Sequence, residues 1–214
     1  MADKITSDWA EVFPDFSVWR SLHLLRRIGP VVQGVILDKS TAGDQYYPTV
    51  HIHSLAQDFP VISLTLAQRL VKGAGVQESI DVGRHSEGFR SAAARLESQS
   101  ELPLRSVPEL TKIVGLLRKF AVAAQKGRLP EAVPELEGSV LVPAASENPE
   151  DVEESLKIVE QVSARWSGYE SPSKWADTRD WLDWLRASAA DGPGLVSVVE
   201  GQIAKHGLGE IRSW

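Results

Sequence analysis

The chain of 214 residues contains no cysteine. This absence excludes disulfide bonds, thiolate metal ligands and a cysteine nucleophile. No apolar run approaches the roughly 18 residues that a transmembrane helix requires, and the segment 1–8 lacks the basic start and apolar stretch of a signal peptide. We therefore expect a soluble cytoplasmic protein with no membrane partner, and the lack of cysteine fits a reducing compartment.

The short signatures of several enzyme classes are also missing. The chain has no Gly-x-Ser-x-Gly, no His-Glu-x-x-His and no calcium-binding loop. Gly73-Ala74-Gly75 lacks the lysine of a phosphate-binding loop. Because many active sites have no local signature, these absences weaken an enzymatic interpretation without removing it.

Apolar residues make up 43% of the chain, which is enough for a sizeable core. The length lies between one large domain and two small ones. We expect a single α+β domain over residues 1–214, with the loop 129–138, rich in proline and glutamate, as the candidate boundary if there are two parts. The apolar run that follows this loop would be an orphan outside a common core, which favours the single domain.

The net charge of −6 is unevenly distributed along the chain. The segment 105–128 contains six lysines and arginines against the single acid Glu109, whereas the segment 129–156 contains eight acids and no lysine or arginine. The acids next to the basic segment, and its single aromatic residue Phe120, argue against nucleic-acid binding. The two segments are expected to pair internally, or the acidic one to meet a basic protein partner.

Residues 31–82 alternate apolar and polar side chains in short runs separated by turn residues. Runs at 31–38, 46–55, 60–66 and 76–82 predict about four strands. Residues 66–72 could form a short helix, but the hairpin loop at 72–75 favours their continuing the third strand. Short connections between consecutive strands favour an antiparallel meander.

Helical spacing of apolar residues flanks this meander on both sides. Five apolar residues at this spacing predict an N-terminal helix that ends at the breaker Gly29-Pro30; they are Phe16, Trp19, Leu22, Leu25 and Ile28. Helices are also predicted at 86–96, 107–124, 149–168, 173–190 and 195–205, and a further short strand at 139–143. The fold class is therefore α+β, with an N-terminal helix, an antiparallel meander and a mostly helical C-terminal half.

His51-Ile52-His53 is the most suggestive local motif. The two histidines would point the same way from one strand, and imidazoles at this spacing can close around a transition metal. The alternative function is thus a metal-dependent or acid/base enzyme centred on His51 and His53, assisted by Asp38, Tyr46 or His85. The competing interpretation is that both histidines are ordinary residues on the polar face of a half-exposed strand, with no cofactor.

Acidic and aromatic residues in the second half of the chain favour protein binding. Tryptophan is enriched at interface hot spots, and an acidic surface suits a basic partner. We expect a non-catalytic protein that binds another protein through an acidic and aromatic surface, with an inhibitor or immunity-type protein as the most concrete form. The candidate partner-binding residues are Glu135, Glu137, Glu150, Asp151, Glu154 and Trp184. A small-molecule binder that uses an open sheet face is a third interpretation.

Overall fold

The computed structural model describes residues 1–126, 132–166 and 174–214. They form two compact units. The sheet unit comprises Met1–His53, Ile62–Pro108 and Gly207–Trp214, and the helical unit comprises Ser54–Val61 and Glu109–His206. This division into units does not test the predicted single domain, which stays a prediction. The candidate boundary at 129–138 falls inside the helical unit, and its residues 129–131 lie outside the described residues.

The predicted fold class is confirmed: an N-terminal helix precedes an antiparallel sheet with meander order, and mostly helices follow. Helix α1 spans Ala2–Val12. The strands are β1 (Ser17–Arg20), β2 (His23–Ile28), β3 (Val31–Lys39), β4 (Gln45–Ser54), β5 (Thr65–Arg69) and β6 (Ile80–Asp81). The sheet order is β1-β2-β3-β4-β5, and β6 also pairs with β4.

The helix predicted up to Gly29-Pro30 is wrong, because residues 17–28 form the hairpin of β1 and β2. Apolar residues at every third position imitate a helix, but backbone pairing with β3 decides the conformation. Leu22 makes the turn at φ 64. Arg26 is fully buried, and its guanidinium group donates to Gln33 Oε1 at 2.7 and 3.0 Å and to the carbonyl oxygen of Ser106 at 2.7 Å.

The later strands are shorter than predicted, because turns and a bulge interrupt the alternating runs. The third strand begins at Thr65 rather than at residue 60, and the fourth is reduced to Ile80–Asp81. The predicted hairpin loop is confirmed, since the Lys72 amide donates to the Val76 carbonyl oxygen at 2.7 Å. A short 3-10 helix at Gly73–Gly75 lies within it.

One face of the sheet packs against α1 and α2 (His85–Gln99), and this packing forms the core of the sheet unit. Trp9 of α1, Phe13 directly after it and Phe89 of α2 are buried there with Leu24 and Val35 of the sheet. Leu25 and Val32, near neighbours of Leu24 and Val35 in the two strands, are buried as well, so both faces of β2 and β3 are covered.

The helical unit contains five of the described helices. They are α3 (Leu110–Lys126), α4 (Val133–Ala144), α5 (Pro149–Ser163), α6 (Thr178–Ala190) and α7 (Gly192–His206). Asn148 caps α5 as predicted, because its side chain accepts a hydrogen bond from the Asp151 amide at 3.1 Å. Gly207 follows α7 at φ 63, which fits its predicted role as helix end. The predicted ends of two helices, at residues 167–168 and 173, lie outside the described residues.

The strand predicted at 139–143 is wrong, because these residues belong to α4. All five side chains are buried, and α4 packs against α3, α5 and α6. A helix that is covered on several sides shows a continuous apolar run, which periodicity cannot distinguish from a buried strand.

Among the described residues, no helix has both the length and the apolar character needed to cross a bilayer.

Candidate functional site

His51 lies in a buried imidazole pair on β4 of the sheet unit. Its side chain is 2% exposed, and its Nε2 atom lies 2.8 Å from Nε2 of His23 on β2. One of these nitrogen atoms must donate and the other must accept, so the pair requires at least one neutral ring. His23 is 28 residues from His51 in the sequence, and only the tertiary structure brings the two together.

Burial keeps both rings of this pair neutral. It lowers the pKa of His51 to about 3, with a further contribution from the neighbouring His23. It likewise lowers the pKa of His23 to about 4, helped by the charge of Arg20. Within the described part of the chain, Nδ1 of His51 is buried without a hydrogen-bond partner. The pair therefore places polar nitrogen atoms in a buried environment that strongly disfavours their protonation.

Gly34 makes room for the His51 ring. A Cβ atom at this position of β3 would overlap the His51 imidazole and lie 2.7 Å from Cδ2 of Leu25. The interior glycine, which weakens a strand, is thus explained by the close approach of an aromatic ring.

His53 forms a second contact, with Ser63. The His53 side chain is fully buried, and its Nδ1 atom accepts from the Ser63 amide at 3.0 Å. Ser63 Oγ lies 2.9 Å from the same nitrogen and 3.0 Å from Thr65 Oγ1. Since Nδ1 is an acceptor, the neutral ring carries its proton on Nε2. The serine is half-exposed, so the structure places a reachable hydroxyl group on a buried imidazole. No local spacing pointed to Ser63.

The metal-binding prediction for His51 and His53 gains no further ligand from the structure. Among the described residues, no group of three or more histidines, aspartates or glutamates is arranged to hold a metal ion. A catalytic zinc ion usually has three protein ligands. A site with these two histidines alone stays a prediction.

Tyr46 and His85 meet in a buried chain of hydrogen bonds. Asp8 Oδ2 lies 2.9 Å from His85 Nε2, His85 Nδ1 lies 2.8 Å from the Tyr46 hydroxyl group, and Trp9 Nε1 donates to that hydroxyl at 3.1 Å. If His85 donates to Asp8, its Nδ1 accepts from Tyr46, and every proton in the chain has an acceptor. Burial raises the pKa of Tyr46 to about 12. The Tyr46 phenol therefore stays protonated at neutral pH, and its role as an acid/base residue stays a prediction.

Asp38, the remaining acid/base candidate, forms an ion pair at the sheet surface. Its Oδ2 atom accepts from Arg69 Nη2 at 2.6 Å. The five candidates thus make four different contacts, and sequence spacing had supplied neither the partners nor the burial.

The predicted internal pairing of basic and acidic segments occurs at Arg118. This side chain on α3 donates to Asp151 Oδ1 at 2.8 Å, to Glu154 Oε2 at 2.7 Å and to Ser155 Oγ at 2.8 Å. Arg118 is 7% exposed, so this ion pair between α3 and α5 is mostly withdrawn from water. Two of the six candidate partner-binding acids and aromatics therefore already hold the helical unit together.

Glu137 on α4 is also engaged inside the helical unit. Its two carboxylate oxygens accept from Trp181 Nε1 at 2.9 Å and from Gln57 Nε2 at 3.1 Å. Burial raises its pKa despite these hydrogen bonds. Burial also raises the pKa of Glu135.

Trp184 and Glu150 lie nearer to solvent. Trp184 is half-buried, with its ring centroid 5.0 Å from that of Trp175, whereas Trp181 is fully buried. Glu150 is exposed in the first turn of α5.

Comparison with known proteins identifies no relative: no family model matches the chain, no curated protein matches its sequence, and no solved structure matches its fold.

Proposed function

We propose that the chain is a non-catalytic cytoplasmic protein that binds a basic protein partner through the helical unit. The binding surface consists of exposed acids on α5 and α6 together with one tryptophan, and we call it the acidic surface. Its residues are Glu150, Glu153, Glu154, Glu160, Asp183 and Trp184. The most concrete form of this function is an inhibitor or immunity-type protein that neutralises a basic toxin or nuclease, which is an analogy of composition.

The concentration of charge is the observation that carries this proposal. Residues 132–166 contain eight acids and two basic residues, so this segment alone has a charge of −6, equal to that of the whole chain. The positive and negative charges of the remaining residues therefore cancel. The electrostatic field of charges concentrated on one part of a protein accelerates its encounter with a partner of opposite charge.

Four acids of this surface already have basic neighbours: Glu154 pairs with the buried Arg118, whereas the exposed ion pairs of the other three are weak enough to exchange. Glu153 pairs with Lys157 at 2.6 Å, and Glu160 pairs with Arg186 at 2.7 Å, with each side chain more than 40% exposed. Exposed pairs of this kind contribute about 0.2–1 kcal/mol. A partner's arginines could therefore replace the internal cations at little cost, while Trp184 supplies apolar contact area.

The test compares charge reversal on the acidic surface with charge reversal elsewhere. The surface variant carries Glu150→Lys, Glu153→Lys and Glu160→Lys. The control variant carries Asp3→Lys, Glu11→Lys and Glu210→Lys, which are exposed positions of the sheet unit with the same total change of charge. Both are used as untagged bait, coupled to a resin, in lysate of the source cells at low and moderate salt.

We expect one protein to be recovered by the wild type and the control variant but lost with the surface variant. Its recovery should fall as salt rises, because salt screens exposed charges. Recovery of no specific protein, or equal recovery by the surface variant, would count against the proposal.

The second candidate function is acid/base catalysis at His53, and the contact between Ser63 and His53 favours it. The Ser63 hydroxyl group lies 2.9 Å from His53 Nδ1, within reach of an imidazole that would take its proton as a general base and so activate a serine nucleophile. A fluorophosphonate probe should then label Ser63 in the wild type and should label neither Ser63→Ala nor His53→Ala. An unlabelled wild type rejects a serine nucleophile here.

The metal-dependent form of this candidate needs its own measurement. Elemental analysis of untagged protein after reconstitution with zinc, manganese or iron should give one metal per chain, and His51→Ala and His53→Ala should remove it. If metal content and thermal stability in zinc are the same in all three proteins, the metal-dependent form is wrong.

A further inference from the structure

An open groove of about 490 Å³ lies in the sheet unit. Its walls come from the three neighbouring strands β3, β4 and β5 and from the hairpin around Gly75. This volume falls within the range of about 300–1,000 Å³ that is typical of small-molecule sites. All its lining residues belong to the sheet unit, so the groove is distinct from the acidic surface of the helical unit.

The groove is apolar over part of its surface and charged at one place. Ile36, Leu64 and Val71 provide apolar walls, whereas Asp38 and Arg69 provide one anion and one cation. A few converging polar groups on an apolar lining are the usual composition of a site that orients a small ligand.

Arg69 is held in position by its neighbours. Its Nη1 atom donates to Gln77 Oε1 at 2.9 Å, and its guanidinium carbon lies 5.2 Å from the centroid of the Tyr47 ring. Arg69 and Asp38 remain 39% and 44% exposed, so both charged groups are open to a ligand. The five N–H donors of a guanidinium group leave capacity beyond the two contacts to Gln77 and Asp38.

Two features of the groove wall are costly in the free protein. Leu64 lines the groove although it is 45% exposed, and Val76, between the lining residues Gly75 and Gln77, is 62% exposed. Leu66 adopts φ 52 within β5, a conformation that is unfavourable for a bulky side chain. Exposed apolar groups and local backbone strain are concentrated at binding sites.

We propose that this groove binds a zwitterionic amino acid with an apolar side chain. The ligand carboxylate accepts from Arg69, and its ammonium group donates to Asp38. Its side chain covers Leu64, Ile36 and Val71. The two charges that pair with each other in the free protein thus exchange partners: one exposed ion pair is given up, and two charge-assisted pairs, shielded from water by the ligand side chain, are formed.

L-Leucine is the probe, and its binding is measured by isothermal titration calorimetry with purified full-length protein. Three analogues remove one feature each: L-leucinamide lacks the carboxylate, 4-methylpentanoate lacks the ammonium group, and glycine lacks the side chain. We expect saturable binding of L-leucine and at least a tenfold weaker affinity for each analogue, since each loses one ion pair or the apolar contact.

Variants locate the binding site. Arg69→Gln and Asp38→Asn should each weaken L-leucine binding at least tenfold, and Ala67→Phe, at an exposed position of the groove, should abolish it by filling the space. The matched control is Arg95→Gln, which removes the ion pair of Arg95 with Glu78 outside the groove and should leave the affinity unchanged. Thermal melting of each variant verifies that it is folded.

Three results would overturn the inference: no saturable binding of L-leucine, equal affinity for 4-methylpentanoate, or unchanged affinity in folded Arg69→Gln. The partner-capture experiment on the helical unit is independent of each of these outcomes.

Discussion

The Tyr46 hydroxyl group serves two buried neighbours, Trp9 and His85. Tyr46→Phe removes it and leaves an indole N–H and an imidazole nitrogen without their partner in the core. Each unsatisfied buried group costs about 1–3 kcal/mol, so we expect the free energy of unfolding to fall by about 2–4 kcal/mol. Urea denaturation measures this change.

Tyr47→Phe is the matched control for this prediction. Tyr47 is the adjacent residue on β4 and is only half-buried, whereas Tyr46 is fully buried. We expect removal of the Tyr47 hydroxyl group to change stability by no more than about 0.5 kcal/mol. Equal effects of the two substitutions would show that the hydrogen-bond chain does not stabilise the fold.

The pair of His23 and His51 should make the fold sensitive to acid. The pKa values in the folded state are about 4 and about 3, both below the 6.5 of an exposed histidine. Between the folded-state and unfolded-state pKa values, the unfolded chain binds more protons than the folded one. The free energy of unfolding is therefore highest above pH 6.5 and falls as the pH decreases towards 4. At pH 5 each histidine should lower the free energy of unfolding by about 2 kcal/mol relative to neutral pH.

His23→Gln tests this pH dependence. The variant should be less stable than the wild type at pH 7.5, yet it should lose about 2 kcal/mol less between pH 7.5 and pH 5, because one of the two titrating groups is gone. Urea midpoints at the two pH values give the comparison. If both proteins lose the same stability, the acid sensitivity has another origin.

Residue-level contacts were the part of this protein least accessible from sequence. Alternation predicted His51 and His53 on one side of a strand, and the structure places both in β4 with buried side chains. Burial and partners depend on residues far along the chain, such as His23 for His51 and Asp8 for His85. No local periodicity encodes which distant side chain comes within 3 Å.

At the scale of elements, Arg118 joins α3 to α5. Arg118→Ala leaves Asp151 and Ser155 without their partner in a mostly buried place. Breaking a buried ion pair from one side costs about 3–5 kcal/mol, and we expect a loss of stability in that range. Lys157→Ala breaks the exposed pair with Glu153 on the same α5 and should cost only about 0.3–0.5 kcal/mol.

Chemical denaturation of both variants, monitored by circular dichroism at 222 nm, checks this contrast. Comparable small losses would mean that apolar packing alone joins the two helices.

Elements with a clear start signal or a regular apolar spacing were predicted best. Helix α5 has a capping asparagine followed by proline, and α3 has regular apolar spacing, so both lie within a few residues of their predicted positions. The segment 17–28 failed because pairing between strands overrode a helical spacing. The segment 139–143 failed because a helix buried on several sides has no polar face to reveal its period.

At the scale of the whole chain, residues 212–214 pair with Arg27–Gly29 at the end of β2. The Arg27 amide donates to the Arg212 carbonyl oxygen at 2.9 Å, the Trp214 amide donates to the Arg27 carbonyl oxygen at 3.0 Å, and the Gly29 amide donates to the Trp214 carbonyl oxygen at 3.2 Å. Deletion of residues 212–214 should therefore expose the amides of Arg27 and Gly29. Hydrogen exchange should become faster at these two amides, while that of Val35 in the adjacent β3 stays slow. Unchanged exchange at Arg27 would contradict this role.

This closing contact has a consequence for biosynthesis. Arg27 and Arg212, whose backbones pair, are separated by 185 residues of chain. At roughly 5–20 residues per second, a ribosome needs on the order of 10–40 s to deliver the second after the first. During that interval the sheet is translated but its border at Arg27–Gly29 has no partner strand, and such a border is a template for mispairing with other nascent chains. The charges of the buried Arg26, the half-buried Arg27 and the exposed Arg20 would discourage such pairing until residues 212–214 emerge.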